Sequence, residues 1–174
     1  MSDFYTHIYL FYLPLIIGNV LHMIVVKHNW FRGLAFPISK NRFGLHKTYR
    51  GIIVLTILTG LLALLSSYCF GPFETSLAYD AFVGFGLGLS YVLAELPNSF
   101  IKRKLGIANG AQSKKYKYVQ YFTDKADSLI GVLTFYFLAT NYSFYTILIL
   151  FCIGLALHIG VSKLLVVVNI KKKF

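Results

Sequence analysis

The sequence predicts an all-α integral membrane protein with five transmembrane helices, and three observations carry that reading. Hydrophobic residues make up 57% of the 174 residues and charged residues 13%, a balance unlike that of a soluble domain. Segments 4–26, 51–73 and 128–162 contain no Asp, Glu, Lys or Arg, and each is long enough to cross the ~30 Å hydrocarbon core of a bilayer. The 17 basic residues gather in stretches that alternate with these apolar runs.

The first helix is expected over about 5–26, with Pro14 kinking it. A second follows over 51–70 and a third over 81–100, the latter interrupted by one charge, Glu95. The long apolar run from 128 accommodates two crossings if it breaks at the polar "ATNYS" stretch. That break gives helices over about 122–139 and 144–169. No repeat, low-complexity tract or linker intervenes, so residues 1–174 read as a single membrane domain with long loops at 27–50 and 101–121. Gly84 and Gly88 have the small-xxx-small spacing that lets helices pack closely, which permits a homo-oligomer.

Orientation follows from the lysines and arginines. Lys27, Arg32, Lys40, Arg42, Lys47 and Arg50 fall before the second helix; Lys102, Arg103, Lys104, Lys114, Lys115, Lys117 and Lys125 fall between the third and fourth; Lys163, Lys171, Lys172 and Lys173 close the chain. With five crossings every one of these stretches lies on the same side. The positive-inside rule then puts the N-terminus outside, and the C-terminus and both long loops in the cytosol of a cell-membrane protein. The net charge of +11 therefore describes one face. Membrane lipid headgroups are its expected neighbours and no nucleic acid is. Long loops inside a compact domain are more often functional than not, and Lys114, Lys115 and Lys117 read as a solvated face.

Only six carboxylates are present, and three fall toward the cytosolic ends of helices. Glu95 sits inside the third helix, where an ionisable group is a functional candidate unless a lysine such as Lys102 neutralises it. Asp124 and Asp127 stand one helical turn apart, on one face. Thr123 or Asp124 could cap the fourth helix, and the same pair of oxygen ligands suits a hard cation such as Mg²⁺. Around them "SFIKRKLG" offers Ser99, Lys102 and Arg103, and "HKTYRG" offers Lys47, Thr48 and Arg50. Arginine forks and lysine ammonium groups are the side chains that bind phosphate oxygens. Carboxylates with a metal, ringed by such groups, are the parts of phosphoryl or nucleotidyl transfer. At a cytosolic interface they imply one substrate from water and one from the lipid. His7, His22 and His158 read instead as hydrogen-bonded helix residues.

The string "ELPNSFIKRKLGI" followed by "TDKADSLIG" resembles the CDP-archaeol synthase family, integral membrane CTP:lipid-phosphate cytidylyltransferases related to CDP-diacylglycerol synthases. Glu95, Ser99, Phe100, Lys102, Arg103, Leu105, Gly106 and Ile107 fit that family's "GDxxxSFxKRxLGI" with Glu in place of Asp, and Asp124, Asp127 and Gly131 fit its "DQxDxxxG". "HKTYRG" is similar to its "GKTWRG" element, and "LPLIIGN" and "FPIS" to two further elements. Ser39, His46 and Lys125 depart from the family pattern. The resemblance implies that CTP and a lipid phosphate give a CDP-lipid and pyrophosphate with Mg²⁺. It implies that Glu95, Asp124 and Asp127 hold the metal, and that Asp124, Asp127 and Lys102 form the catalytic set. Ser99, Arg103, Lys47, Thr48 and Arg50 would then bind phosphates. The departures leave a second expectation, a catalytically diverged lipid-binding or transport protein.

Overall fold

The computed structural model describes residues 2–73, 76–111, 113 and 116–170. Glu74, Lys114, Lys115, Lys171, Lys172, Lys173 and the side chain of Asp3 lie outside the described residues. Six α-helices account for most of the described residues. The first crossing is α1 (Ser2–Thr6), a π-helical stretch (His7–Tyr12) and α2 (Leu13–Lys27) in unbroken succession. The π geometry has a cause in the sequence. Pro14 lacks an N–H, and its ring crowds the carbonyl four residues back. The ladder widens just ahead of it, so that the Leu13 N–H reaches the Ile8 carbonyl, five residues away. The kink expected at Pro14 is taken up as this wider turn.

Helix α3 (Tyr49–Phe70) is capped by Thr48, α4 (Leu77–Lys104) by Ser76 and α6 (Phe144–Val167) by Ser143. Each cap is a hydroxyl accepting from a backbone N–H three residues on, at 3.2–3.3 Å. Helix α5 (Lys117–Ala139) has no side-chain cap. It begins at Lys117 rather than near 122, so Thr123 and Asp124 lie inside the helix. The expected capping role of Thr123 or Asp124 is therefore wrong.

Among the described residues, four helical segments are long and apolar enough to cross a membrane: Phe4–Lys27, α3, α4 and α6. The remaining helix, α5, carries Lys117, Asp124, Lys125 and Asp127 in its first half. It nevertheless packs between α4 and α6. Its second half supplies Leu129, Val132, Leu133 and Tyr136 to the core, where they meet Leu10 and Phe11 from the π-helical stretch and Val83 and Leu87 from α4.

The Gly84/Gly88 stripe is filled within the chain. A Cβ on Gly84 would collide with Ala63, and one on Gly88 would lie 2.8 Å from the Thr56 Cα. Both neighbours belong to α3, so the close packing these glycines permit joins α3 to α4 and leaves no free stripe for a second copy. At Gly131 a Cβ would stand 3.0 Å from the Ser90 carbonyl, which brings α5 equally close to α4. That closeness sets up the polar seam described next.

Candidate active site

Helix α4 lays out Glu95, Asn98 and Lys102 at i, i+3 and i+7, one stripe of its surface. Facing it, α5 presents Asp124 and Asp127. Asn98 joins the two aspartates: its Nδ2 donates to Asp124 Oδ1 at 2.7 Å and to Asp127 Oδ2 at 2.7 Å. Lys102 forms an ion pair with Asp124, and Lys47 one with Glu95. The Ser128 N–H donates to Asp127 Oδ1 at 2.7 Å. Apart from Ser128, which is buried, the members are partly exposed at this end of the bundle, with the four ion-paired side chains between 19% and 33% accessible. That leaves room for an incoming ligand.

The three acids belong to one electrostatic unit. Asp127 feels the charges of both Glu95 and Lys47. Glu95 is neutralised by Lys47 rather than by Lys102, the partner that proximity in sequence suggested. Among the described residues no three His, Cys, Asp or Glu form a metal-binding group, so the trio Glu95, Asp124 and Asp127 is not a preformed cage. The donors present still fit Mg²⁺. Two hard carboxylate oxygens converge on a single point, the Asn98 nitrogen, and Mg²⁺ in nucleotide sites is commonly held by one or two carboxylates with substrate phosphates completing the shell. Asp124 and Asp127 are the residues that would hold it, and Glu95 stands next to them, paired to Lys47.

Loop 28–48 brings Lys47 to this place. Pro37 and Thr48 form an antiparallel bridge, with Ile38 N–H to Lys47 O at 2.9 Å and Tyr49 N–H to Phe36 O at 3.2 Å. Lys47 thus stands at the threshold of α3, fixed by backbone bonds on both sides. A second tie crosses to loop 105–116: Asn109 Oδ1 accepts from Arg103 Nη1 at 2.7 Å and from the Leu45 N–H at 3.3 Å. Gly44 has φ of +85°, and a Cβ there would collide with Asn109. Arg103, half-buried, also reaches the Ala108 carbonyl at 3.4 Å, so its guanidinium braces this loop at the edge of the seam while Asn109 makes the tie to Leu45. Ser99 lies one turn before it on the same helix face, half-buried.

Two expected phosphate binders are engaged elsewhere. Thr48 is the cap of α3. Arg50 is almost wholly buried, and its Nη1 donates to Asn29 Oδ1 at 3.0 Å and to the Trp30 carbonyl at 3.1 Å. Asn29 and Phe31 both have positive φ, 54° and 52°, a conformation that costs an L-residue energy and that a bulky residue rarely adopts. Arg50 bolts this strained turn to α3.

Sequence reasoning missed Asn98, Asn109 and the environment of His22. Neutral amides carry no charge signal, although the i+3 and i−4 spacing of Asn98 to Glu95 and Lys102 was available. His7 and His158 are hydrogen-bonded as expected, to Tyr136 at 3.0 Å and to the Lys125 carbonyl at 3.0 Å. His22 differs: its Nε2 is buried without a hydrogen-bond partner and looks toward the first turn of α3, beside Gly51.

Behind the seam lies a cavity of ≈ 60 Å³ lined by Tyr12, Leu15, Leu129, Val132, Leu157 and other apolar side chains. Asn19, Tyr91 and His158 give it one polar edge. Asn19 Nδ2 donates to the Tyr91 hydroxyl at 3.0 Å, and Tyr91 lies near enough to feel Glu95 and Asp127.

The molecule is a helical bundle with membrane-length segments, a charged seam at one end and an apolar hollow behind it. The chain belongs to the CarS-like, CDP-archaeol synthase family, whose model matches residues 3–174. That membership makes it a multi-pass membrane protein and points to a CTP-dependent lipid cytidylyltransferase. No curated protein and no solved structure gives a significant match.

Proposed function

We propose that the protein transfers the cytidylyl group of CTP to a lipid phosphate, giving a CDP-lipid and pyrophosphate, at the cytosolic face of a cell membrane. In this reading α5 is the fifth crossing, its charged first half sheltered between α4 and α6 at the headgroup level, with the N-terminus outside and the C-terminus inside. One observation carries the proposal: Glu95, Asn98 and Lys102 on α4 face Asp124 and Asp127 on α5, with Lys47 closing the seam from the loop.

A phosphate oxygen of the lipid attacks the α-phosphorus of CTP, and the bond from that phosphorus to the β-phosphate bridging oxygen breaks as pyrophosphate leaves. Magnesium, when bound, supplies neutralisation of phosphate charge. Lys102 and Lys47 sit in ion pairs that an incoming triphosphate can exchange for its own oxygens, leaving Asp124 and Glu95 free to turn toward a cation. Arg103 binds phosphate from the loop edge, with Ser99 beneath it. The ≈ 60 Å³ hollow lined by Leu15, Leu129 and Leu157 takes the first carbons of the lipid chain. Its apolar lining accepts an isoprenoid ether or a diacyl lipid alike.

Incubating the purified protein in detergent with CTP, Mg²⁺ and either archaeol-type phosphate or phosphatidate tests this. CDP-lipid and pyrophosphate in equal amounts are expected. A protein that neither forms product nor binds CTP in calorimetry, yet moves lipid phosphate across proteoliposomes, is the diverged lipid-binding or transport protein instead.

A further inference from the structure

We infer that Asn98 is a ligand-switching residue of the acid pair: its amide nitrogen holds the place of a divalent cation between Asp124 and Asp127, and its carbonyl oxygen turns to that cation when one binds. The inference rests on the nucleotidyl-transfer reading and adds to it a neutral residue to which the sequence motifs assign no role.

The geometry is specific. One atom, Asn98 Nδ2, lies 2.7 Å from an oxygen of each aspartate. Ionised carboxylates only accept hydrogen bonds, whereas an amide group has two donors on nitrogen and an acceptor on oxygen. The nitrogen must therefore face the pair, one hydrogen to each aspartate. Without it two like charges aimed at one point would repel. On Asp124 the Lys102 ammonium shares Oδ1 with the amide, and on Asp127 the Ser128 N–H holds the other oxygen, Oδ1. The amide nitrogen thus meets one oxygen held by it alone, Asp127 Oδ2, and one it shares with a lysine that incoming phosphate can draw away, Asp124 Oδ1.

A cation attracted to those two oxygens meets the NH₂ group at the point of convergence. Repulsion removes the donor from that point, and the terminal torsion of asparagine is a soft sp³–sp² rotation. A half-turn about it exchanges NH₂ for C=O, a hard neutral oxygen of the type Mg²⁺ accepts. A leucine or alanine at 98 could perform neither half of the exchange. An aspartate could perform only the second, adding a carboxylate where two already stand.

The test uses Mn²⁺ alone, titrated into purified full-length protein and followed by electron paramagnetic resonance, with thermal unfolding in chelator and in excess Mn²⁺ as a second readout. Wild-type protein is expected to take up Mn²⁺ and to gain thermal stability from it. Asn98→Ala, which adds no bulk to the seam, is expected to bind Mn²⁺ about 10- to 100-fold more weakly, the range seen when groups supporting a metal site are removed. Asn98→Asp is expected to melt lower than wild type in chelator, to bind Mn²⁺ more tightly and to recover its melting temperature with the metal. Unchanged Mn²⁺ affinity in both variants overturns the inference and reduces Asn98 to a brace, leaving the proposed reaction standing. Tighter binding in Asn98→Ala overturns it too, since the amide would then be only a competitor. Failure of the wild-type protein to bind Mn²⁺ removes the cation site itself, and the metal-dependent reading falls with it.

Discussion

The two ends of this bundle bury polar groups in different ways. At the α4–α5 seam side chains bond to side chains: Asn98 to Asp124 and Asp127, Lys102 to Asp124, Lys47 to Glu95. At the far end they mostly bond to backbone. The Asp80 carboxylate accepts from the Phe73 N–H at 2.9 Å, Tyr12 donates to the Leu150 carbonyl at 2.7 Å, Tyr79 to the Ala139 carbonyl, and Thr140 to the Tyr136 carbonyl at 2.6 Å. Asp80 and Tyr136 are wholly inaccessible, whereas the seam remains partly open. Backbone carbonyls cannot leave when a ligand arrives; a lysine can. The far end is a set of clasps on the fold, and the seam is a set of exchangeable pairs.

Substitutions at the two ends should therefore separate activity from stability. The largest effect is expected from Asp127→Ala, with product formation falling on the order of 10³-fold, the scale of losing a principal electrostatic group in a buried site; its melting temperature should stay near that of wild type. Lys102→Met should lower turnover roughly 10²-fold by the same reasoning, and steady-state kinetics with CTP varied would show whether the loss lies in binding or in turnover. Between the ends, Gly84→Leu forces α3 from α4 and should cost about 1–3 kcal/mol of stability, read by thermal unfolding in detergent. The smallest effect is expected from Tyr136→Phe, which removes the hydroxyl that pairs with His7 Nδ1 and should cost about 1 kcal/mol with specific activity unchanged. A Tyr136→Phe protein that is stable but inactive would break the comparison.

Much of this architecture was legible in the chain. Apolar runs located all the long helices, because lipid and core both demand continuous hydrophobicity. The same signal stopped short where helices leave the apolar region: α4 extends to Lys104 and α5 starts at Lys117, in charged turns that hydropathy reads as loop. Spacing alone placed Asp124 and Asp127 on one face, but could not say what stands opposite. Asn98 escaped notice because an amide is neutral until its partners are known. Arg50 shows the opposite limit. Its charge and its neighbours suggested phosphate, whereas the structure shows its Nη1 bonded to a turn with positive φ at Asn29 and Phe31. The Gly84/Gly88 spacing signalled close helix packing without saying whether the partner helix lay in the same chain.

The most direct test of the seam as a nucleotidyl-transfer site is to follow the label from CTP carrying ³²P at either the α or the γ position, with lipid phosphate as acceptor. The account expects the α label in the lipid fraction and the γ label in pyrophosphate, with both transfers lost in Asp127→Ala. A lipid labelled from the γ position would mean phosphoryl transfer, and equal labelling in wild type and Asp127→Ala would place the chemistry away from the α4–α5 seam; either result would contradict the account.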